Sequence, residues 1–310
     1  MKTNKFYTFG EPVSLESKSL FEPYFDANPI RSSSQGFASL YMWSDQRFAI
    51  VDGMLIHAGR GWFGQGYDGP FIYLPLSKDG TYDPAHLRSV ILTCDDALRD
   101  PEMGFRVFGV PKELVPLYDE AIGDIAQRLD NRDSWDYVYL RSDLELLKGR
   151  KYSKKRNHLN YFYENTPFTY EHIRQEHADE LSDALDDFSR RKEEKGAIDP
   201  LVQEEIDTIK KILPQIEAIG FFGGLIRIDG AVKAFTLAYP HTRDSVEVTV
   251  EKADDSIRGL YQAINREFVA SLPEEILYIN REEDMGIEGL RQAKMSYHPH
   301  ILQELYGYVL

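Results

Sequence analysis

Polar side chains that could carry acyl-transfer chemistry gather in the segment NREED, residues 280 to 284. The residues before it, ILYI, predict a short strand, and open α/β sheets bind ligands just past the ends of their strands. Transfer of an acyl group to an amine needs a base, a donor that stabilises an oxyanion and an acid for the leaving group. The candidate bases are Glu282, Glu283 and Asp284. Asn280 and Arg281 could orient a carbonyl or a carboxylate group.

The same acidic residues have a structural alternative. Asp284 could cap the helix that follows, and the two glutamates would then favour the positive end of its dipole. The two roles are compatible, so the sequence leaves both of them open.

A second group of candidates lies at the end of the predicted strand SVEVTV, where Glu251 and Lys252 follow one another. Strand alternation puts Glu247, Thr249 and Glu251 on one face and three valines on the other. Such a polar face is typical of a solvent-facing edge or of a cleft wall, and we expect solvent here. If the face lines a cleft, Glu251 is a candidate catalytic residue and Lys252 a candidate donor-binding residue.

The last predicted helix carries a third group of candidates. Arg291, Lys294 and His298 are spaced i, i+3 and i+7, so they share one helix face. Arg291 and Lys294 are candidate donor-binding residues. Tyr297 lies beside that face, and its phenol could protonate a leaving group. A solvated helix face explains the basic residues equally well.

Positive charge is concentrated in the stretch KGRKYSKKRNH, residues 148 to 158, which contains no acidic residue. A helix predicted from residue 144 to residue 163 would face Tyr152, Leu159 and Phe162 inward. Like charges crowd the neighbouring face, although they repel one another at this spacing. The pattern predicts a phosphate-binding surface formed by Arg150, Lys151, Lys154, Lys155 and Arg156. A solvated or salt-bridged face is the alternative.

The chain has signs of an internal duplication. Asp52-Gly53 and Asp229-Gly230 each stand between apolar runs and predict β-hairpins in corresponding places of the two halves. The segments that begin DYVYL and ILYIN also match in type at six positions when they are set side by side at an offset of 140. We predict an α+β fold with mixed sheets, formed by two duplicated domains at residues 1–165 and 166–310.

The composition narrows the class of protein. The 51 acidic residues exceed the 36 basic ones and give a formal net charge of −15, which argues against broad DNA binding. Cys94 is the only cysteine and no H-E-x-x-H motif occurs, so we expect no metal site. No Walker loop or G-x-S-x-G motif occurs either, which argues against the common nucleotide-binding and serine-hydrolase classes. Because no signal-peptide pattern and no apolar stretch of membrane-spanning length occurs, we expect a cytoplasmic protein without a membrane span.

Three segments, NREEDMGIEGLRQAKMSYHP, KGRKYSKKRNHLNYF and VEKAD, resemble bacterial proteins related to the C-terminal domain of phosphatidylglycerol lysyltransferase. The resemblance covers nearly the whole chain. It implies two tandem domains of the GCN5-related N-acetyltransferase fold, as in Fem-type peptidyltransferases. It also implies transfer of an acyl or aminoacyl group to an amine or hydroxyl, often from aminoacyl-tRNA.

One departure from the wider acetyltransferase pattern bears on the donor. Those enzymes hold the pyrophosphate of coenzyme A on a loop of the form Q/R-x-x-G-x-G/A, where backbone N–H groups contact the phosphates. The corresponding segment here is VEKADDSIRGLYQA, with two aspartates and no glycine loop. We therefore expect an acyltransferase or aminoacyltransferase that uses aminoacyl-tRNA or, less readily, acyl-coenzyme A. The alternative is a protein that has lost catalysis and binds a nucleotide or tRNA as an adaptor or sensor.

Overall fold

The computed structural model describes residues 5–43, 46–62, 67–194, 196 and 198–310. The chain divides into two compact units. The first comprises Met1–Tyr137, Glu283–Gln292 and Leu302–Leu310, and the second comprises Val138–Glu282 and Ala293–Ile301. Each unit therefore combines segments that are far apart in the sequence.

The regular elements alternate between helices and strands. In chain order the strands are β1 (Glu11–Pro12), β2 (Arg47–Val51), β3 (Met54–Trp62), β4 (Tyr67–Tyr73), β5 (Arg106–Pro111), β6 (Gln127–Asp130), β7 (Asp136–Leu140), β8 (Thr169–His172), β9 (Phe222–Ile228), β10 (Ala231–Thr242), β11 (Ser245–Ala253), β12 (Tyr278–Asn280), β13 (Ile301–Gln303) and β14 (Leu305–Val309). The α-helices are α1 (Lys18–Ala27), α2 (Phe37–Met42), α3 (Pro84–Leu98), α4 (Val115–Ile122), α5 (Arg141–Leu146), α6 (Ser153–Asn165), α7 (Ala178–Glu194), α8 (Pro200–Ile212), α9 (Ile216–Ile219), α10 (Leu260–Ser271) and α11 (Glu288–Met295).

Both sheets mix parallel and antiparallel pairs. The first has the strand order β1-β2-β3-β4-β5-β14-β6, in which β4 and β5 run parallel. The second has the order β13-β7-β12-β11-β10-β9-β8, in which β11 and β12 run parallel. Hairpins β2–β3 and β9–β10 are antiparallel. The predicted α+β class with mixed sheets is confirmed.

The two Asp-Gly turns form corresponding hairpins. The backbone angle φ is 50° at Asp52, 82° at Gly53, 51° at Asp229 and 80° at Gly230. Positive φ at both central residues is what a tight two-residue hairpin requires. Counted from β1 and from β8, the two sheets also have their parallel pair at the same step. The predicted duplication is therefore confirmed at the level of the fold.

The offset of 140 is nevertheless wrong as a measure of that duplication. It equates β7 with β12, but these strands are antiparallel neighbours in one sheet, with Tyr139 opposite Ile279. The counterpart of β7 is β14, because both take the sixth position when the sheets are counted from β8 and from β1. Each half of the sequence thus contributes its last strand to the sheet of the other half.

The predicted domain boundary at residue 165 coincides with the end of α6, after which β8 begins the second set of strands. The compact units cross this boundary because of the strand exchange. As the division between duplicated halves, 1–165 and 166–310, it stays a prediction.

Apolar helix faces form the core of the second unit, as their periodicity predicts. The buried residues of these faces include Leu181, Leu185, Phe188, Leu260, Ile264 and Phe268. Helix α10 packs on β9, β10 and β11. Beneath it the strands approach closely at Gly223, where an added Cβ atom would lie 1.9 Å from the carbonyl oxygen of Thr236. Only glycine fits at this position.

We expect Gly223→Ala to lower the free energy of unfolding by about 1–3 kcal/mol, because the new methyl group must displace backbone. The matched control is Gly289→Ala in α11, where nothing lies within 4 Å of the added atom. There alanine should stabilise the helix by up to about 1 kcal/mol. Urea denaturation of both variants measures these changes, and equal midpoints for the two would contradict the close approach at Gly223.

Candidate functional site

Strands β11 and β12 diverge in the second sheet. They pair over three residues only, from Ser245 opposite Tyr278 to Glu247 opposite Asn280. β12 ends there, whereas β11 continues to Ala253 with β10 as its partner. A β-bulge at Thr249, between Val248 and Val250, accompanies the divergence. The residues beyond these strand ends fill the resulting gap.

An ion pair between Arg281 and Glu251 occupies the gap. Nη2 of Arg281 donates to Oε1 of Glu251 at 2.8 Å. On the other side, Nδ2 of Asn265 in α10 donates to Oε2 of Glu251 at 3.3 Å. The side chains of Arg281 and Glu251 are only 14% and 11% exposed. The expected solvent-facing position of this strand face is therefore wrong, and Glu247 on the same strand is fully buried.

Two tyrosines and a lysine lie beside this ion pair. Nζ of Lys155, in α6, lies 4.0 Å from the ring centroid of Tyr297. The guanidinium carbon of Arg281 lies 5.2 Å from the Tyr297 ring and 5.9 Å from the Tyr139 ring. Two cations therefore share the face of aromatic rings, an arrangement that is strongest where water is excluded. We call Lys155, Glu251, Asn265, Arg281 and Tyr297 the Lys155–Arg281 cluster.

The cluster changes the protonation of its members. Burial and then the neighbouring Arg281 lower the pKa of Lys155 to about 8, although Glu251 acts in the opposite direction. Burial raises the pKa of Tyr297 to about 12, against the opposing effect of Arg281. Near neutral pH the cluster thus contains an amine that readily loses its proton and a phenol that keeps its proton.

Three further predicted residues support the backbone beside the cluster. The side-chain oxygen of Asn280 accepts a hydrogen bond from the backbone N–H of Glu282 at 2.7 Å. Nζ of Lys294 donates to the carbonyl oxygen of Arg281 at 2.7 Å. Glu282 itself has a φ of 58°, an uncommon value for a residue with a side chain. These bonds hold the chain in the turn that presents Arg281.

The basic stretch does not form one surface. The predicted helix from residue 144 to residue 163 is interrupted, because α5 ends at Leu146 and α6 begins at Ser153. Leu147 and Gly149, with φ of 45° and 89°, form the break. The inward positions Tyr152, Leu159 and Phe162 are buried, as predicted.

The basic side chains then separate into different environments. Arg156 donates to the carbonyl oxygens of Leu147 and Gly149 and so holds the break. Lys151 pairs with Asp143 at 3.5 Å. Arg150 and Lys154 are exposed. Of the predicted phosphate-binding residues, Lys155 is the one that joins the cluster.

Lys252 lies outside the cluster. Its Nζ donates to Oε2 of Glu205 in α8 at 2.6 Å and lies 5.3 Å from the ring centroid of Phe188 in α7. Strand alternation directs it to the face of β11 opposite to that of Glu251, its neighbour in sequence.

Asp284 and Arg291 belong to a different network, within the first unit. Nε and Nη2 of Arg291 donate to the two carboxylate oxygens of Asp284 at 2.8 and 2.7 Å. The hydroxyl of Tyr137 and the N–H of Gly286 also donate to this carboxylate, at 2.5 and 2.9 Å. Asp284 is fully buried. It does not cap α11, which begins four residues later at Glu288.

Burial opposes ionisation of Asp284, but the hydrogen bonds from Arg291, Tyr137 and Gly286 outweigh it and lower the pKa of this carboxyl. Glu283 also lies in the first unit, where it accepts a hydrogen bond from the hydroxyl of Ser33 at 3.4 Å. The segment NREED thus supplies two separate polar groups, and catalytic roles for Glu282 and Asp284 stay predictions.

Sequence reasoning missed Asn265, Gln262 and Tyr139. Asn265 is 2% exposed and stands among the apolar residues of α10, so an amide on a buried helix face was a detectable signal. Gln262 lies near the Tyr297 side chain and opposes the rise in its pKa. Tyr139 gave no signal, because a tyrosine in a strand is ordinary.

The described residues offer no candidate metal site and no candidate membrane span. No group of three or more His, Cys, Asp or Glu side chains in this part of the chain could hold a metal ion. Among the same residues, no helix is long and apolar enough to span a bilayer.

The paired mixed sheets and their helices define a protein with two tandem domains of the GCN5-related N-acetyltransferase fold, as the resemblance implied. The chain belongs to the family described as phosphatidylglycerol lysyltransferase, C-terminal, whose profile matches residues 28–309. The predicted family is therefore confirmed. No curated protein matches the chain.

Solved structures agree with this family. A conserved protein of unknown function from Bacteroides thetaiotaomicron VPI-5482 is 31% identical, with a TM-score of 0.85 over 97% of this chain and 98% of that one. L-PGS from Bacillus licheniformis is 13% identical, with a TM-score of 0.62 over 97% and 93% of the chains. FemX is 9% identical, with a TM-score of 0.60 over 96% of each chain. The last two similarities concern the fold alone.

We expect Asp284→Asn to lower the free energy of unfolding by about 2 kcal/mol or more, because it removes one partner of a buried ion pair. The lowered pKa means that the carboxylate stabilises the fold above about pH 4, the ordinary range of an aspartate, and that this contribution is lost as the pH falls through the folded pKa. Urea denaturation should therefore give a larger difference from the parent protein at pH 7 than at pH 3. Asp133→Asn, which removes a 40% exposed partner of the same arginine, is the control and should lower the free energy of unfolding by less.

Proposed function

We propose that this protein transfers an aminoacyl group from an aminoacyl-tRNA to an acceptor hydroxyl or amine, and that the Lys155–Arg281 cluster performs the transfer. One observation carries the proposal. A half-buried lysine whose pKa is lowered to about 8 lies beside an arginine that is itself paired with Glu251. Lysines with such pKa values are suited to proton transfer at neutral pH.

Each member of the cluster has a role in this chemistry. The neutral amine of Lys155 takes the proton from the acceptor as that acceptor attacks the ester carbonyl. The guanidinium of Arg281 has five N–H groups, and those not directed at Glu251 stabilise the oxyanion that develops. Tyr297, whose pKa of about 12 keeps it protonated, donates a proton to the departing ribose oxygen, which leaves as the hydroxyl.

Glu251 positions Arg281 in this scheme and does not act as the base. Its two oxygens already accept hydrogen bonds from Arg281 and Asn265. It fixes the plane of the guanidinium and balances part of its charge.

The second unit is the better candidate for catalysis because the described residues of the first have an apolar side chain where the second has Glu251. Ala58 and Thr236 occupy corresponding positions, since each lies opposite the residue four places before the end of the preceding strand. Their partners on the next strand are Ile72 and Glu251, respectively. Ile72 is fully buried, so an apolar side chain fills the position that the carboxylate has in the second unit.

The start of α10 favours a donor other than acyl-coenzyme A. Asp254, before this helix, accepts hydrogen bonds from the N–H and the hydroxyl of Ser256 at 3.1 and 2.6 Å. Its other oxygen lies 3.3 Å from Arg191. The Asp254 carboxylate already accepts the hydrogen bond of the Ser256 N–H, which a pyrophosphate would need. Its negative charge also repels phosphate. The exposed Arg150 and Lys154 are instead suited to contact tRNA phosphates.

The direct test incubates the protein with tRNA esterified with radioactive lysine or alanine, and with vesicles that contain phosphatidylglycerol. We expect label to move into the lipid phase or, with added small amines, into a soluble amide. Acetyl-coenzyme A with the same acceptors should give no product. Binding of charged tRNA without loss of label from the ester would support the adaptor alternative and contradict transfer.

Single substitutions then test the assigned roles. Lys155→Met should lower kcat by about 10²–10⁴, the range for a lost proton-transfer group, and Arg281→Met should lower it by about 10²–10³. Lys211→Met on the exposed face of α8 is the matched control and should leave kcat unchanged. Full activity of both Lys155→Met and Arg281→Met would contradict the assignment of the site to this cluster.

The pH profile tests Lys155 as the base. Its pKa is lowered to about 8, so the active neutral form is lost as the pH falls below that value. Between pH 7 and pH 9 we expect kcat/KM to rise about tenfold, since the neutral fraction of a group with this pKa grows by that factor. Lys155→Arg keeps the charge but cannot lose its proton, and its residual rate should not show this rise. An inflection retained in Lys155→Arg would assign it to another group.

A further inference from the structure

Lys155 has an environment unlike that of its neighbours in sequence. Lys154 is exposed, and Arg156 is hydrogen bonded to backbone carbonyl oxygens. Lys155 instead lies on the Tyr297 ring, and within the described residues no carboxylate comes within ion-pair distance of its amine. The nearest acid of the cluster, Glu251, is already paired with Arg281 at 2.8 Å. The amine is therefore held in place without a salt bridge.

An amine in this position is a better nucleophile near neutral pH than an ordinary lysine. With a pKa of about 8, about a quarter of Lys155 is unprotonated at pH 7.5, against roughly one part in a thousand for a lysine of pKa 10.4. Nucleophilicity falls as pKa falls, with a slope of about one half in thiol chemistry. The larger neutral fraction outweighs that loss by about tenfold.

We propose that Lys155 is a site of covalent acyl modification, whose amine accepts an acyl group from small activated donors such as acyl phosphates. The amine nitrogen attacks the carbonyl carbon, a C–N bond forms and the bond from carbon to the bridging oxygen breaks. Inorganic phosphate leaves with the electron pair, and the proton lost by the amine goes to solvent. The product is an uncharged amide, and no redox partner takes part.

The modification has a consequence for the cluster, which rests on the proposed function. An amide nitrogen neither carries positive charge nor accepts a proton at neutral pH, so an acylated Lys155 cannot serve as the base. Accumulation of acyl phosphates would thus switch off transfer by this protein.

The test treats the purified full chain with acetyl phosphate between pH 7 and pH 9.5, followed by digestion and mass spectrometry. The acetylation rate of Lys155 is compared with those of Lys154 and Lys211 in the same sample. At pH 7.5 we expect Lys155 to react about tenfold faster, and its rate to level off above pH 8 while the exposed lysines continue to accelerate. A rate for Lys155 no greater than that of Lys154 overturns the proposal.

Two variants test whether the lowered pKa of Lys155, and not simple exposure of its amine, accelerates its acetylation. Arg281 lowers the pKa of Lys155 and Glu251 raises it. Arg281→Met should therefore slow acetylation of Lys155 at pH 7, and Glu251→Gln should accelerate it. Shifts in the same direction would indicate loosened packing and overturn the proposal. Because acetyl phosphate requires no transfer activity, a protein that fails the charged-tRNA assay can still pass this test, and an active transferase can still fail it.

Discussion

The second unit depends on the ion pair between Arg281 and Glu251. A guanidinium and a carboxylate that are 14% and 11% exposed lose most of their hydration, and each is tolerated because the other is present. Asn265 satisfies the second carboxylate oxygen, and the Tyr139 and Tyr297 rings cover the guanidinium. The unusual amine of Lys155 follows from this arrangement. Burial and then the neighbouring Arg281 disfavour its cation and lower its pKa to about 8, against the opposing effect of Glu251.

The two duplicated sheets have corresponding strand orders, but an apolar core fills one of them where the other holds a polar cluster. In the first unit β4 and β5 pair from Phe71 to Tyr73, and the buried Ile72 lies where the second unit has Glu251. In the second unit β11 and β12 separate after Glu247, and the gap admits Glu251 and polar partners. Both parallel pairings extend over three residues, so the difference lies in where along the strands they pair. Where pairing continues, the space between the strands is closed and an apolar core is the stable filling.

Much of the fold could be predicted from the sequence, and less of the site. The Asp-Gly hairpins, the apolar faces of α7 and α10 and the mixed sheets follow from local patterns, because each pattern is set by residues close together in the chain. The exchange of β7 and β14 was not predictable, since it pairs strands more than a hundred residues apart and leaves no local trace. The predicted site residues also lie in different environments, because contacts between segments remote in sequence set those environments. Adjacent acids in NREED belong to separate networks, and neighbouring cations from Lys151 to Arg156 meet an acid, an aromatic ring and backbone carbonyls.

The sequence by itself determined which chemical groups the protein has and the approximate elements that carry them. It identified Glu251, Arg281, Tyr297 and the basic stretch, because residue types and periodicity are visible in one dimension. Tertiary structure alone decided that Lys155 and no other cation of that stretch joins Arg281, and that Glu251 faces a buried gap and not solvent. The physical reason is that protonation and reactivity depend on burial and on charges a few ångströms away. Those distances are set by strand divergence and helix packing between segments that are remote in sequence.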